Sequence, residues 1–141
     1  MEDLVESLTR GNVTEVKVVL ASVVAALAVY QLVLIAVGYG RVRPRFLDSA
    51  PASAAHRFAG DAIAVIVVVV AIMCISYLGF EDEQLVHVAA GTALLAVLAL
   101  KIAVVRRGRT LGRFLPALGL TLFALIAVTW LSSAGSFLAD R

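Results

Sequence analysis

Charge is scarce in this chain: only 16% of its 141 residues are Asp, Glu, Lys or Arg, where an ordinary soluble domain has about a quarter. That shortage, with a mean hydropathy of +1.00, excludes both a soluble globular domain and a disordered segment. One cysteine, Cys74, excludes an internal disulfide, and its apolar neighbours make it a small packing residue. The net charge is +2, too small to supply the basic footprint that a nucleic-acid partner needs. What matters is where the few charges sit.

Apolar residues are abundant, at 62% of the chain, and a membrane-spanning helix takes about 20 of them in a row. Four runs qualify: residues 16–39, 57–79, 85–105 and 114–138. In hydrocarbon each backbone donor and acceptor needs a partner within its own segment, so even Val65 to Val70 (VIVVVV) is expected to be helical despite its β-branching. The domain organisation is therefore an N-terminal segment (1–15), a four-helix membrane domain (16–138) and a short tail (139–141). The first 13 residues hold Glu2, Asp3 and Glu6 and lack a basic leader, so the first run is expected to be a permanent span. Asn12 with Glu15 fits a helix cap and its capping-box partner, and Pro116 falls in the first turn of the last span. Leu4, Val5 and Leu8 could line one amphipathic turn at the membrane surface, with a frayed tail as the alternative.

Short connections imply antiparallel neighbours, hence an all-α up-down-up-down four-helix bundle. Arg41, Arg43, Arg45 and Arg57 lie between the first two spans against Asp48 alone, and Arg106, Arg107, Arg109 and Arg113 lie between the last two with no acid. Both connections are expected on the cytoplasmic side. The middle connection holds Glu81, Asp82, Glu83 and no base, which puts it outside with both termini. A multi-pass protein of the inner (plasma) membrane, N-out and C-out, is the expectation.

Ionisable side chains inside spans are costly and are functional candidates. Four stand out: His56, Asp61, His87 and Lys101. Asp61 and Lys101 both lie about 7 Å inside the cytoplasmic ends of their spans at helical rise, a matching depth at which they could pair. The plainer alternative is an Arg57–Asp61 pair one turn apart on a helix surface, with Lys101 extending to the headgroups. Gln31 shares this inner depth, and Tyr30 and Tyr39 suit interface anchors. At the outer side His87 begins a stripe with Gly91, Leu94, Leu98 and Lys101, which is expected to face the bundle. Tyr77 and Trp130 suit an outer aromatic belt.

The second span begins His56-Arg57-Phe58-Ala59-Gly60 and the third His87-Val88-Ala89-Ala90-Gly91, so both read H-x-x-x-G. Glycine one turn beyond a histidine leaves room for a flat group beside the imidazole, the shape a haem site in a helical bundle needs. Small residues that merely let helices approach give the same pattern. These paired helix starts resemble those of the cytochrome b561 superfamily of transmembrane b-type cytochromes. More closely, the stretch from His56 to Leu138 resembles an uncharacterised family of four-span bacterial membrane proteins, through His56 with Gly60, Leu78-Gly79-Phe80, His87 with Gly91, Lys101 and the Trp130 to Phe137 run. The chain departs from both: Met73 stands before Cys74 where the uncharacterised family has histidine, and two histidines cannot complete the two bis-His haems of the b561 pattern.

His56 and His87 begin antiparallel spans on opposite faces, so roughly 28 Å of helix separates their depths and they cannot share an iron. The reachable partner for His87 is Met73, and Met/His ligation of a haem b favours a higher potential than bis-His ligation. Three readings follow. One is a haem-b or quinone-interacting electron-transfer protein, with cofactor residues His87, Met73, His56, Gly60 and Gly91 and an inner polar set of Asp61, Lys101 and Gln31. A redox partner protein, a homo-oligomer or a larger membrane complex would accompany it. Another is a cofactor-free accessory subunit, and the last a small transporter lined by Asp61 and Lys101. No nucleophile–base pair, metal-ligand cluster or phosphate loop is present, so no independent catalytic activity is expected.

Overall fold

The computed structural model describes residues 12–38, 49–77, 85–107 and 109–135. The expected N-terminal turn, Tyr39, the Leu78-Gly79-Phe80 motif, the acidic connection and the tail lie outside the described residues. Four helices carry the chain: α1 (Val13–Gly38), α2 (Ser49–Tyr77), α3 (Leu85–Arg107) and α4 (Leu115–Trp130). A 3₁₀ segment (Arg109–Phe114) leads into α4 and a π-helical turn (Leu131–Gly135) ends it. Four helical segments are long and apolar enough to cross a membrane: Val13–Gly38, Ala52–Ser76, Leu85–Arg107 and Gly112–Gly135, the last running through α4 and its flanking turns. The protein is a multi-pass, all-α membrane bundle.

Local sequence explains where the helices start. The backbone N–H of Val16 donates to the carbonyl of Asn12 at 3.0 Å, closing the first turn of α1. Pro116 lies in the first turn of α4, where a missing N–H leaves nothing unpaired. Helix α2 begins at Ser49, two turns before the expected residue 57. Pro51 is tolerated there because it falls in the first turn, and the Ala-rich stretch behind it is strongly helix-forming. His56 therefore sits inside the helix rather than at its head.

Tertiary contacts fix the topology. Met73, late in α2, packs against Val13 at the start of α1. Ala52, early in α2, packs against Leu34 and Val37 late in α1. His87 at the start of α3 meets Ser132 beyond the end of α4, and Trp130 meets Ser22 of α1. Each sequential pair is antiparallel, as is α1 with α4, which gives the up-down-up-down arrangement. Following the charge map, the end bearing Val13, Met73, His87 and Ser132 is called outer.

Mid-membrane, one cluster draws on every helix: Val24 and Ala28 of α1, Val67 of α2, Leu94 and Leu98 of α3, Leu122 and Ile126 of α4. Lipid tails are as apolar as these side chains, so van der Waals fit rather than escape from water holds the helices together. Buried Ala28, Ala52, Ala59, Ala90 and Ala134 permit close approach. Large side chains such as Val65, Ile75, Val86 and Leu120 point outward, more than half exposed, toward what would be lipid. Packing is uneven around the ring: α1 with α2 and α3 with α4 are the intimate pairs, α4 with α1 joins them, and α2 with α3 touch least. The slack side matters for the site.

Candidate functional site

A cavity of about 370 Å³ occupies the outer half of the bundle. All four helices line it, among them Lys17 and Val24 of α1, Val67 and Cys74 of α2, His87 and Gly91 of α3, and Thr129 of α4. At 1.5 Å per residue, its polar residues lie within about 10 Å of the outer end, while Val24, Val67 and Leu94 lie about 14–16 Å deep. The cavity has a polar mouth and an apolar floor.

His87 is held by a directional chain. Its Nδ1 is 3.2 Å from Ser132 Oγ, and the Ser132 hydroxyl donates to the Thr129 carbonyl at 3.2 Å. A hydroxyl has one proton. With that proton on the Thr129 carbonyl, Ser132 Oγ accepts from Nδ1–H and Nε2 keeps its lone pair; with the hydroxyl turned to the ring it donates to Nδ1 and Nε2 carries the N–H, the Thr129 carbonyl still accepting from Ser133. The π-helical turn makes the chain feasible: Ser132 and Ser133 both reach the Thr129 carbonyl, the latter at 2.8 Å. Thr129 directs its own hydroxyl back to Leu125 and Ile126 at 2.9 and 3.0 Å, so every hydroxyl of this segment donates inside its own helix.

The two H-x-x-x-G repeats fall in different surroundings. A Cβ added at Gly91 meets nothing within 4 Å, because that position faces the cavity. At Gly60 it would meet Gln31 Nε2 at 3.2 Å. Gly60 lets the buried Gln31 of α1 lie against α2, where its Nε2 donates to the His56 carbonyl at 2.9 Å. Only the outer repeat leaves space for a flat group; the inner one is a helix-packing device.

The inner residues gather only in part. Gln31 and His56 are joined, and Lys101 of α3 is near enough to His56 for their charges to interact. Gln31 Oε1 and His56 Nδ1 are buried without a partner among the described residues. Asp61 and Arg57 are exposed, and among the described residues Asp61 pairs with neither Arg57 nor Lys101. An inner path lined by Asp61 and Lys101 together finds no support in this arrangement.

At the outer end, Met73 is 7% exposed and packs on Val13 with Val16 and Leu20, on the α1 side and away from the cavity lining. Cys74, the next residue, faces the cavity instead. Trp130, expected in an aromatic belt, turns inward and donates from Nε1 to Ser22 Oγ at 3.0 Å. Its indole N–H finds a fixed acceptor inside the bundle. The α3 stripe does face inward, with Leu94 and Leu98 buried between the half-buried His87 and Lys101.

Two cavity residues that sequence reasoning misses are Lys17 and Cys74. Lys17 lies at the start of the first apolar run and shares a face with Ala21 and Val24, the stripe that α1 turns to the cavity. Its position on the face that becomes buried was the available signal. Cys74 gave none beyond its apolar neighbours.

A family profile matches residues 4–141. The chain belongs to the family of unknown function DUF6529. No curated protein and no solved structure matches this DUF6529 chain. Among the described residues, no three or more His, Cys, Asp or Glu side chains gather to hold a metal ion. His87 is the nitrogen donor of the cavity.

Proposed function

We propose that the outer cavity binds a haem b through His87 and that the protein is a b-type cytochrome-like electron-transfer component of the membrane. The observation that carries this reading is the Thr129–Ser132–His87 chain. Metal-binding histidines nearly always donate their other ring N–H to a fixed acceptor, which sets the tautomer and steadies the ring. In the Nδ1–H tautomer Ser132 is that acceptor, and the Nε2 lone pair is then free on a residue that lines the cavity.

The residues present fit a haem on one side only: the cavity, about 370 Å³, is smaller than the whole group, so part of the ring would have to lie out toward the loosely packed α2–α3 side. His87 supplies an axial nitrogen, Gly91 leaves the adjoining surface open, and Val67, Leu94, Leu95 and Ile126 supply apolar walls. Met73, packed on α1, does not join them, so His87 holds the iron without it. When bound, the haem supplies one-electron exchange at a potential set by its axial ligand and surroundings. The chain's part is to hold the imidazole, shield the site from water and leave an edge toward the loosely packed α2–α3 side. A quinone or a redox protein partner fits that edge.

The test is an absorption spectrum of the detergent-purified protein, as isolated and after titration with haemin. The reading expects a Soret band that titrates to one haem per chain and is lost in His87→Ala. A wild-type protein that folds and yields no such band overturns it. The slack between α2 and α3 favours a second reading, a cofactor-free subunit that receives a partner's helix there. That reading expects a partner to co-purify unchanged when His56 and His87 are both replaced.

A further inference from the structure

Lys17 is not needed to hold four helices together. It lies about 6 Å inside the start of α1, half-buried, on the wall of the outer cavity. Its charge is near enough to interact with both His87 and Cys74. Among the described residues it forms no ion pair and makes no hydrogen bond. A cation within a span normally faces the bundle interior and pairs with a specific partner. The rest of the cavity mouth does not supply one. The Thr129, Ser132 and Ser133 hydroxyls donate to carbonyls, and although their oxygens can still accept, none bonds the Lys17 ammonium; Trp130 Nε1 donates to Ser22. The Lys17 ammonium is the polar donor left uncommitted at a cavity whose floor is apolar.

We infer that the occupant of this cavity carries an acidic group and that Lys17 binds it, beside His87. The inference rests on the haem reading and deepens it, since haem b is an apolar disc with two carboxylates on one edge. With iron at His87, a propionate directed to the polar mouth is the acid that Lys17 takes. The apolar remainder of the ring would then meet Val67 and Leu94 of the cavity lining. Lys17 is then a binding residue that sets the orientation of the ring and discriminates an acid from its ester, because a charge pair shielded from water is worth far more than an exposed one.

Haem and haem dimethyl ester provide the test, since both present the same iron to His87 and only one presents carboxylates. Each is titrated into the detergent-purified wild-type protein, into Lys17→Gln and into Lys17→Arg, with the Soret change as readout. A second readout is the rate at which a maleimide alkylates Cys74, which a bound porphyrin slows by filling the cavity. We expect wild type and Lys17→Arg to bind haem about tenfold more tightly than the ester, and Lys17→Gln to bind both with the weaker affinity. Equal affinity of wild type for both compounds overturns the role of Lys17 and leaves the haem reading standing. Binding of neither compound by folded wild type removes both. The wild-type comparison needs no substitution, so a misfolded variant does not blunt it.

Discussion

The imidazole Nδ1 of His87 and the hydroxyl of Ser132, 45 residues apart in the chain, meet at 3.2 Å across the outer ends of α3 and α4. The contact ties two helices together and orients the ring. Which of these effects matters more can be measured. Ser132→Ala removes the hydroxyl partner and leaves the Thr129 backbone as the ring's remaining polar neighbour, so the ring is held less firmly. Loss of a group that orients a metal ligand typically weakens metal binding by 10–100-fold, and that is the loss of haem affinity expected here. Fold stability should drop by about 1 kcal/mol, the net worth of one hydrogen bond. An unchanged affinity in a stably folded Ser132→Ala protein would show that the ring is held by something else.

The two glycines of the H-x-x-x-G repeats should respond oppositely. Ala at Gly60 places a methyl 3.2 Å from Gln31 Nε2, so the amide has to retreat and its 2.9 Å bond to the His56 carbonyl is strained or lost. Leaving the buried Gln31 amide unsatisfied costs about 1–3 kcal/mol, to be read as a lowered unfolding midpoint in detergent; the His56 carbonyl keeps its bond within α2. Ala at Gly91 meets open space, and a helical Gly→Ala change by itself favours folding by up to about 1 kcal/mol. Gly91→Leu should fold as well but fill the cavity, abolishing haem uptake and slowing alkylation of Cys74. Equal thermal behaviour of Gly60→Ala and Gly91→Ala would contradict the contrast.

Four spans, their antiparallel order and the bundle-facing stripe of α3 were legible in the sequence because lipid enforces them. A run of apolar residues in hydrocarbon has one backbone solution, and helical period then decides which residues share a face. Rotational placement was less legible. Met73 and Cys74 are adjacent, and depth alone makes either a neighbour of His87, yet a helix turns 100° per residue, so one faces α1 and the other the cavity. Trp130 suits an aromatic belt by its depth: composition says that an indole favours the interface, but not that Ser22 offers it an acceptor inside the bundle. Lys17 was hidden by its nearness to the membrane surface. The H-x-x-x-G pattern recurs at both helices, but the space beside each glycine depends on what the neighbouring helix places opposite it.

Matching depth also suggested an Asp61–Lys101 pair. Asp61 is exposed and Lys101 is half-buried on another face, so their charges should be nearly independent. A double-mutant cycle of Asp61→Asn and Lys101→Met, followed by unfolding in detergent, should return a coupling within about 0.5 kcal/mol of zero. Lys101→Met should by contrast couple to His56→Ala, since these two are close enough for their charges to interact. Coupling above about 1 kcal/mol between Asp61 and Lys101 would restore the pair.

Met73 separates packing from ligation most directly. It is 7% exposed between α2 and the start of α1, and nothing about that position requires sulfur. Leucine has similar volume and keeps the contact with Val13, so Met73→Leu should cost less than about 1.5 kcal/mol. Alanine leaves a void and should cost about 2 kcal/mol or more. If His87 holds the iron without Met73, the absorption spectra of haem-loaded Met73→Leu and wild type coincide in both oxidation states. If the thioether swings across to the iron, removing it changes the axial ligand, and the potential falls along with a shift in the visible bands. A spectrum altered in Met73→Leu would therefore put Met73 on the iron and require α2 to turn its outer end toward α3 when the cavity fills.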